Sequence, residues 1–193
     1  MARTGWRSVV EAACAGEEWA FAELWREYSP RVQAFVRARG ASEPDDLTSE
    51  VFLQVLRRLP TFEGDESDFR AFLFTVARCR LVDELRRRSR QPLHLEWAPE
   101  RDGRSSESAE ALAMRAVADG ETARLMDELT PDQREVIALR VLGELTVEEV
   151  ARVTDRPAGA VKALQRRGLD RLRRLVRDQE QAAGGAIEAG GRR

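Results

Sequence analysis

LTVEEVARVTDRPAGAVKALQRRGLDRLRRL, residues 145–175, is the stretch whose reading decides the fold. Thr146 followed by Glu149 has the spacing of a capping box, in which each residue's side chain accepts from the other's backbone N–H. A short helix ending near Val153 follows, then a turn over Thr154 to Arg156. Asp155 stands where such turns often carry glycine, and Asp is among the few residues that tolerate the left-handed conformation. The second helix carries an apolar stripe, Val161, Leu164, Leu169, Leu172 and Leu175, beside a basic face of Lys162, Arg166, Arg167, Arg171, Arg173 and Arg174. A short helix, a tight turn and a longer basic helix make a helix-turn-helix, with Ala151 small where the two helices cross. Such a helix fits the major groove, where Arg and Gln read base edges while other arginines hold phosphates. The plainer alternative is a solvated basic helix in a bundle; pattern, turn and charge together favour DNA.

Outward from that stretch the chain reads as helix almost everywhere. LTPDQREVIALR, 129–140, opens with Thr130, Pro131 and Gln133, a second capping-box spacing with Pro at the first helical position. Toward the N-terminus, Phe21, Leu24, Trp25, Tyr28, Val32, Phe35 and Val36 recur every three or four residues, predicting a helix over 19–39 that Gly40 stops. Ser42 and Pro44 open the next, carrying Leu47, Val51, Phe52, Val55, Leu56 and Leu59 until Pro60. TFEGDESD, 61–68, reads as an acidic loop, and FRAFLFTVARCRLVDELRRRSR, 69–90, as a long helix with Phe69, Phe72, Leu73, Val76, Cys79, Val82 and Leu85 toward a core. Residues 91–117 have weak periodicity and read as a linker, and 178–193, rich in Gly and Ala, as a disordered tail. The expectation is an all-α chain with two small helical domains, 10–90 and 118–177, joined by a flexible linker.

Charge is segregated along the chain. The total is −2, but 70–90 carries +5 and 156–177 carries +7, each preceded by an acidic block, 43–68 and 96–135, of −6. Two separated basic blocks suggest two anion-binding faces. Lys162 is the only lysine, so the positive charge is almost all arginine. No run reaches the ~18 apolar residues of a spanning helix, and the first residues lack a signal-peptide core, so a cytoplasmic protein without membrane insertion is expected. Cys14 and Cys79 stand alone and read as reduced core residues; the single histidine, His94, has no ligand-like neighbours. Metal, cofactor and catalytic residues are therefore not expected, and hydrolase chemistry lacks a nucleophile–base pair.

Four blocks together, DDLTSEVFLQVLRRL (45–59), FRAFLFTVARCRLVDELRRR (69–88), LTPDQREVIALR (129–140) and the opening stretch, resemble the extracytoplasmic-function (ECF) sigma factors of bacterial RNA polymerase, in order and spacing. The resemblance covers about three quarters of the chain and implies a sigma-2 domain, a sigma-4 domain and no enzymatic activity. It implies binding to core RNA polymerase through the clamp helices and the flap tip, recognition of duplex −35 and single-stranded −10 promoter DNA, and an anti-sigma partner. Carried over residue by residue, it puts polymerase contacts at Asp46, Ser49, Glu50 and Leu53. It puts −10 contacts at Phe62, Phe74, Arg78, Cys79, Arg80, Arg86 and Arg87, with the 61–68 loop closing over an unstacked base. It puts −35 contacts at Arg156, Ala160, Lys162, Ala163, Arg166 and Arg167. Ser49 and Cys79 stand where the family often has Gln and Asn, and Phe72 and Phe74 where Trp and Tyr are usual, so the promoter sequence is not implied. A LuxR-type helix-turn-helix regulator is the rival reading, since 129–140 and VKALQRR resemble that class too. Residues 19–90, with neither strands nor a ligand pocket, count against it. A helical adaptor without DNA binding is a second rival, weakened by the two basic helices.

Overall fold

The computed structural model describes residues 5–90 and 124–190, and these are helical with no strand among them. Helices α1 (Trp6–Cys14), α2 (Glu18–Ala38), α3 (Pro44–Arg58) and α4 (Glu66–Arg90) form the first half, with a 3-10 turn at Leu59–Thr61. Helices α5 (Pro131–Val141), α6 (Val147–Thr154) and α7 (Ala158–Gly190) form the second. The expected linker 91–117, with His94, lies outside the described residues.

Helices α2 and α3 bury residues along the face their periodicity foretells, although Trp25 stays 43% exposed. On α2 these are Ala20, Leu24, Tyr28, Val32, Phe35 and Val36; on α3, Leu47, Thr48, Val51, Phe52 and Val55. Burying a Leu, Val or Phe contributes roughly 1.5–3 kcal/mol each, which outweighs the poor helix propensity of the β-branched residues among them. Pro30 sits inside α2, where it removes one backbone donor from the helix.

Helix α1 went unread in the sequence. It packs Trp6 edge-on against Tyr28 at 6.3 Å and tilted on Phe69 at 5.0 Å, so residues before 10 join the packing of this half. The thiol of Cys14, the last residue of α1, donates to the Leu59 carbonyl at 3.1 Å. Tyr28 donates to Glu66 at 3.1 Å; burial first, then the Glu66 charge, pushes its phenol well above the ordinary range.

Three expectations need correction. Cys79 is exposed rather than a core residue. Thr75, Cys79, Asp83 and Arg86 line the outer side of α4, while Leu73, Phe74, Val76, Ala77 and Leu81 are buried on the other. The Gly/Ala-rich end is helical to Gly190, well past 177. Gln179, Glu180, Gln181, Ala182 and Ala183 are good helix formers, and they extend α7 without a break. The opening of α3 also differs: Glu43 rather than Ser42 is the residue before its first turn, and the Ser42 backbone and hydroxyl instead donate to Glu84.

The two halves are packed together. Helix α4 lies between α3 on one side and α6 on the other, α2 touches α5, and the buried apolar side chains form one contiguous cluster from α1 to α7.

Candidate nucleic-acid interface

The capping boxes and the turn of the second half stand where the sequence predicts them. Thr130 accepts from the Gln133 N–H at 3.3 Å and Gln133 accepts from the Thr130 N–H at 3.2 Å, a complete capping box at the start of α5. Thr146 and Glu149 form the same box at the start of α6. Asp155 ends α6 at φ 54°, ψ 48°, the left-handed conformation that turns the chain into α7.

On α7, Val161, Leu164 and Gly168 face inward and Lys162, Arg166 and Arg167 face out. Gly168 permits close packing: a Cβ there would lie 2.5 Å from the Ile137 methyl at the end of its side chain. Ala160 and Ala163 are half-buried beside the basic residues. The outer face therefore carries three cations with small residues between them, which lets a backbone or base edge come close. Arg156 is placed differently. Both of its terminal nitrogens bind Asp132, at 2.7 and 3.2 Å, so its charge is already paired. Gln165, half-buried, accepts from Arg140 at 3.3 Å.

In the first half, Asp46, Ser49, Glu50 and Leu53 are all exposed and follow one another at the spacing of one face of α3. Leu53 is 55% exposed, unusual for a leucine with apolar neighbours on the same helix. Asp46 and Glu50 line a shallow cleft of about 300 Å³ whose other wall includes Glu84, Arg87 and Arg88.

The residues expected to meet −10 DNA divide into two groups. Cys79, Arg86 and Arg87 are exposed. Arg80 is half-buried, its Nε buried without a partner among the described residues. Phe62 stacks on Phe72 at 5.9 Å and meets Phe69 edge-on at 5.8 Å, which closes the 61–68 loop onto the core. Asp65 and Asp68 exchange backbone-to-carboxylate hydrogen bonds at 3.0 and 3.3 Å, so this loop ends in a cap of its own. Gly64 sits there at φ 155°, and a Cβ on it would lie 2.7 Å from that of Asp68.

Phe74 is closed off from solvent and the partly buried Arg78 is engaged by another helix. Phe74 is fully buried, edge-on to Phe35 at 5.5 Å, and is a core side chain in this arrangement rather than a DNA contact. Arg78 binds Glu135 of α5 through Nε at 3.2 Å. The same carboxylate oxygen accepts from Arg39 at 3.0 Å, and Arg39 also donates to the Pro131 carbonyl at 2.9 Å. Burial lowers the Arg39 guanidinium from its usual value, an effect that Glu135 opposes. Nothing in the local pattern of either residue signals this pair, which joins positions 96 apart in the chain.

Comparison with known proteins agrees with this architecture. Sigma-70 region 2 matches residues 24–91 and sigma-70 region 4 matches 125–174. The ECF RNA polymerase sigma factor BldN of Streptomyces coelicolor is 37% identical over 88% of this chain and 65% of its own length. The ECF RNA polymerase sigma factor RpoE of Cereibacter sphaeroides is 32% identical over 89% of this chain and 94% of its own. The chain belongs to the ECF sigma factors, the subunits that direct promoter-specific transcription initiation, and the LuxR-type reading is not favoured. Among solved structures, CnrH in complex with the cytosolic domain of CnrY has the same fold, with a TM-score of 0.64 at 21% identity over 90% of this chain and 97% of that one. The sigma factor RpoE of Bartonella quintana, solved with the anti-sigma factor NepR, aligns with a TM-score of 0.60 at 20% identity, over 81% and 96%.

Proposed function

We propose that the exposed face of α3, Asp46, Ser49, Glu50 and Leu53, docks on the clamp helices of core RNA polymerase, while α7 lies in the major groove of the −35 element. The observation that carries the reading is the outer face of α7, where Lys162, Arg166 and Arg167 stand clear of the carboxylates of the described residues, on a helix that follows two capped helices and a left-handed turn. Arg166 reads a base edge and Lys162 a phosphate. Ala160 and Ala163 leave room for the groove wall. The α5–α6 region meets the flap tip.

The exposed arginines of α4, Arg86 and Arg87, follow the phosphates of the single-stranded −10 element, with Arg80 and Cys79 nearer the bases and Phe62 at the loop that receives an extruded base. Polymerisation chemistry belongs to the polymerase, so the chain itself is not an enzyme, and it works in the cytoplasm where that partner is. No described helix is long and apolar enough to cross a membrane. An anti-sigma factor completes the partner set, as NepR does for the Bartonella relative.

The test is reconstitution: core polymerase with this chain, run on a library of genomic fragments, yields transcripts whose start sites share a −35 and a −10 element. Asp46→Arg with Glu50→Arg abolishes co-elution with core polymerase while DNA binding by the chain persists. Unchanged co-elution removes the α3 assignment.

A further inference from the structure

The contact between the two halves joins surfaces of opposite charge. The first half supplies Arg31, Arg39 and Arg78, and the second supplies Glu144, Glu135 and the Pro131 carbonyl. Glu135 is 4% exposed and holds two guanidiniums on one oxygen, as a phosphate oxygen of a nucleic acid would. At the edges, Arg31 pairs with Glu144 at 2.7 Å, Arg152 of α6 pairs with Asp68 at 3.5 Å, and the Ser67 hydroxyl donates to Glu149. Beneath them Phe74 is buried against the turn at Gly143, where a Cβ would lie 3.3 Å from its ring. Glu144 adopts φ 52° in that turn, a conformation a glutamate takes only when its surroundings hold it there.

We propose that this contact is an autoinhibitory lock: Glu135 occupies the cationic surface at Arg39 and Arg78 in place of the backbone of single-stranded DNA, and the second half covers that part of the DNA-binding surface of the first until the two separate. The proposal rests on the sigma factor reading above. It adds a DNA contact, Arg39, and a role for carboxylates on α5 and α6. Deleting one partner of a buried charge pair leaves the other charges uncompensated, so loss of Glu135 opens the contact. An apparent dissociation constant equals the intrinsic one divided by the fraction of open molecules, so opening the lock tightens binding by the factor with which the open fraction grows.

The test uses the full-length free chain with two readouts, small-angle X-ray scattering for the separation of the halves and fluorescence anisotropy with labelled single-stranded oligo(dT). A phosphate contact is nearly sequence-blind, so oligo(dT) suffices as a probe. Glu135→Gln is the direct variant. Glu144→Gln combined with Arg152→Gln is the second, at positions 58% and 62% exposed where folding is not at risk. Both variants are expected to increase the radius of gyration and to bind oligo(dT) about 3–10-fold more tightly, as for a lock closed in most molecules. Duplex binding through α7 should stay the same. Unchanged scattering and affinity in both variants overturn the lock; expansion without tighter binding overturns the claim that the contact competes with DNA. Promoter-specific initiation by the wild-type holoenzyme is scored separately: its absence counts against the sigma factor reading, whereas intact initiation with an unresponsive Glu135→Gln counts against the lock alone.

Discussion

Arg156, at the entrance to α7, places both terminal nitrogens on the carboxylate of Asp132 at the start of α5, at 2.7 and 3.2 Å. The pair ties the turn of the helix-turn-helix to the preceding helix and removes one cation from the surface offered to DNA. Both side chains are partly exposed, 30% and 53%, so its contribution to stability is only about 0–1 kcal/mol. Asp132→Asn releases the guanidinium and should steepen the dependence of log affinity on log salt by about one unit. Arg156→Ala should change that slope little. Filter binding across a salt series measures both.

The outer face of α7 separates reading from holding. Arg166→Ala should relax preference at one or two −35 positions, since a bidentate arginine–base contact discriminates by about 1–3 kcal/mol. Lys162→Ala should weaken all sites evenly and lower the salt slope by about one. Competition binding against single-base −35 variants distinguishes the two patterns.

The packing of α7 on α5 depends on a missing side chain. Gly168→Val pushes branched carbon into the space of the Ile137 methyl, and overpacking of this kind costs about 1–3 kcal/mol. A lowered thermal midpoint with the helical circular-dichroism signal retained is the expected outcome. No change would mean that α5 and α7 are less closely packed than the 2.5 Å approach requires.

Acid should loosen α6. Burial opposes ionisation of Glu149, but donors from Ser67 and Thr146 and the charge of Arg70 outweigh it and hold its carboxyl below the usual range. A depressed folded-state pKa stabilises above the unfolded value of about 4.3 and is lost as pH falls through the folded one. Wild-type stability should therefore fall more steeply below about pH 4 than that of Glu149→Gln, which should be less stable at neutral pH. Thermal midpoints of both proteins between neutral and acidic pH measure the difference.

Local chemistry is what the sequence made legible. Both capping boxes and the left-handed Asp155 follow from residue types within four positions of one another, and each stands where it was read. The set Asp46, Ser49, Glu50 and Leu53 comes from the family resemblance, and its spacing of three and four residues then puts it on one helical face. What could not be read depends on distant partners. Phe74 is buried because Phe35 and the turn at Gly143 close on it from other helices, and Cys79 is exposed because the arc α4 buries is set by those neighbours. Helix α1 is short, and its evidence is the seat of Trp6 between Tyr28 and Phe69, contacts with residues far along the chain. Glu135 looks like any acidic residue of a helix until Arg39 and Arg78 are found beside it.

The central claim is that this chain gives core RNA polymerase its promoter choice. Run-off transcription with purified core polymerase, with 5′-end mapping of the products, tests it most directly. The account predicts discrete start sites that require the chain, share a two-part upstream element and vanish with Asp46→Arg/Glu50→Arg. Start sites that do not change when the chain is added, or persist undiminished with that variant, would contradict it.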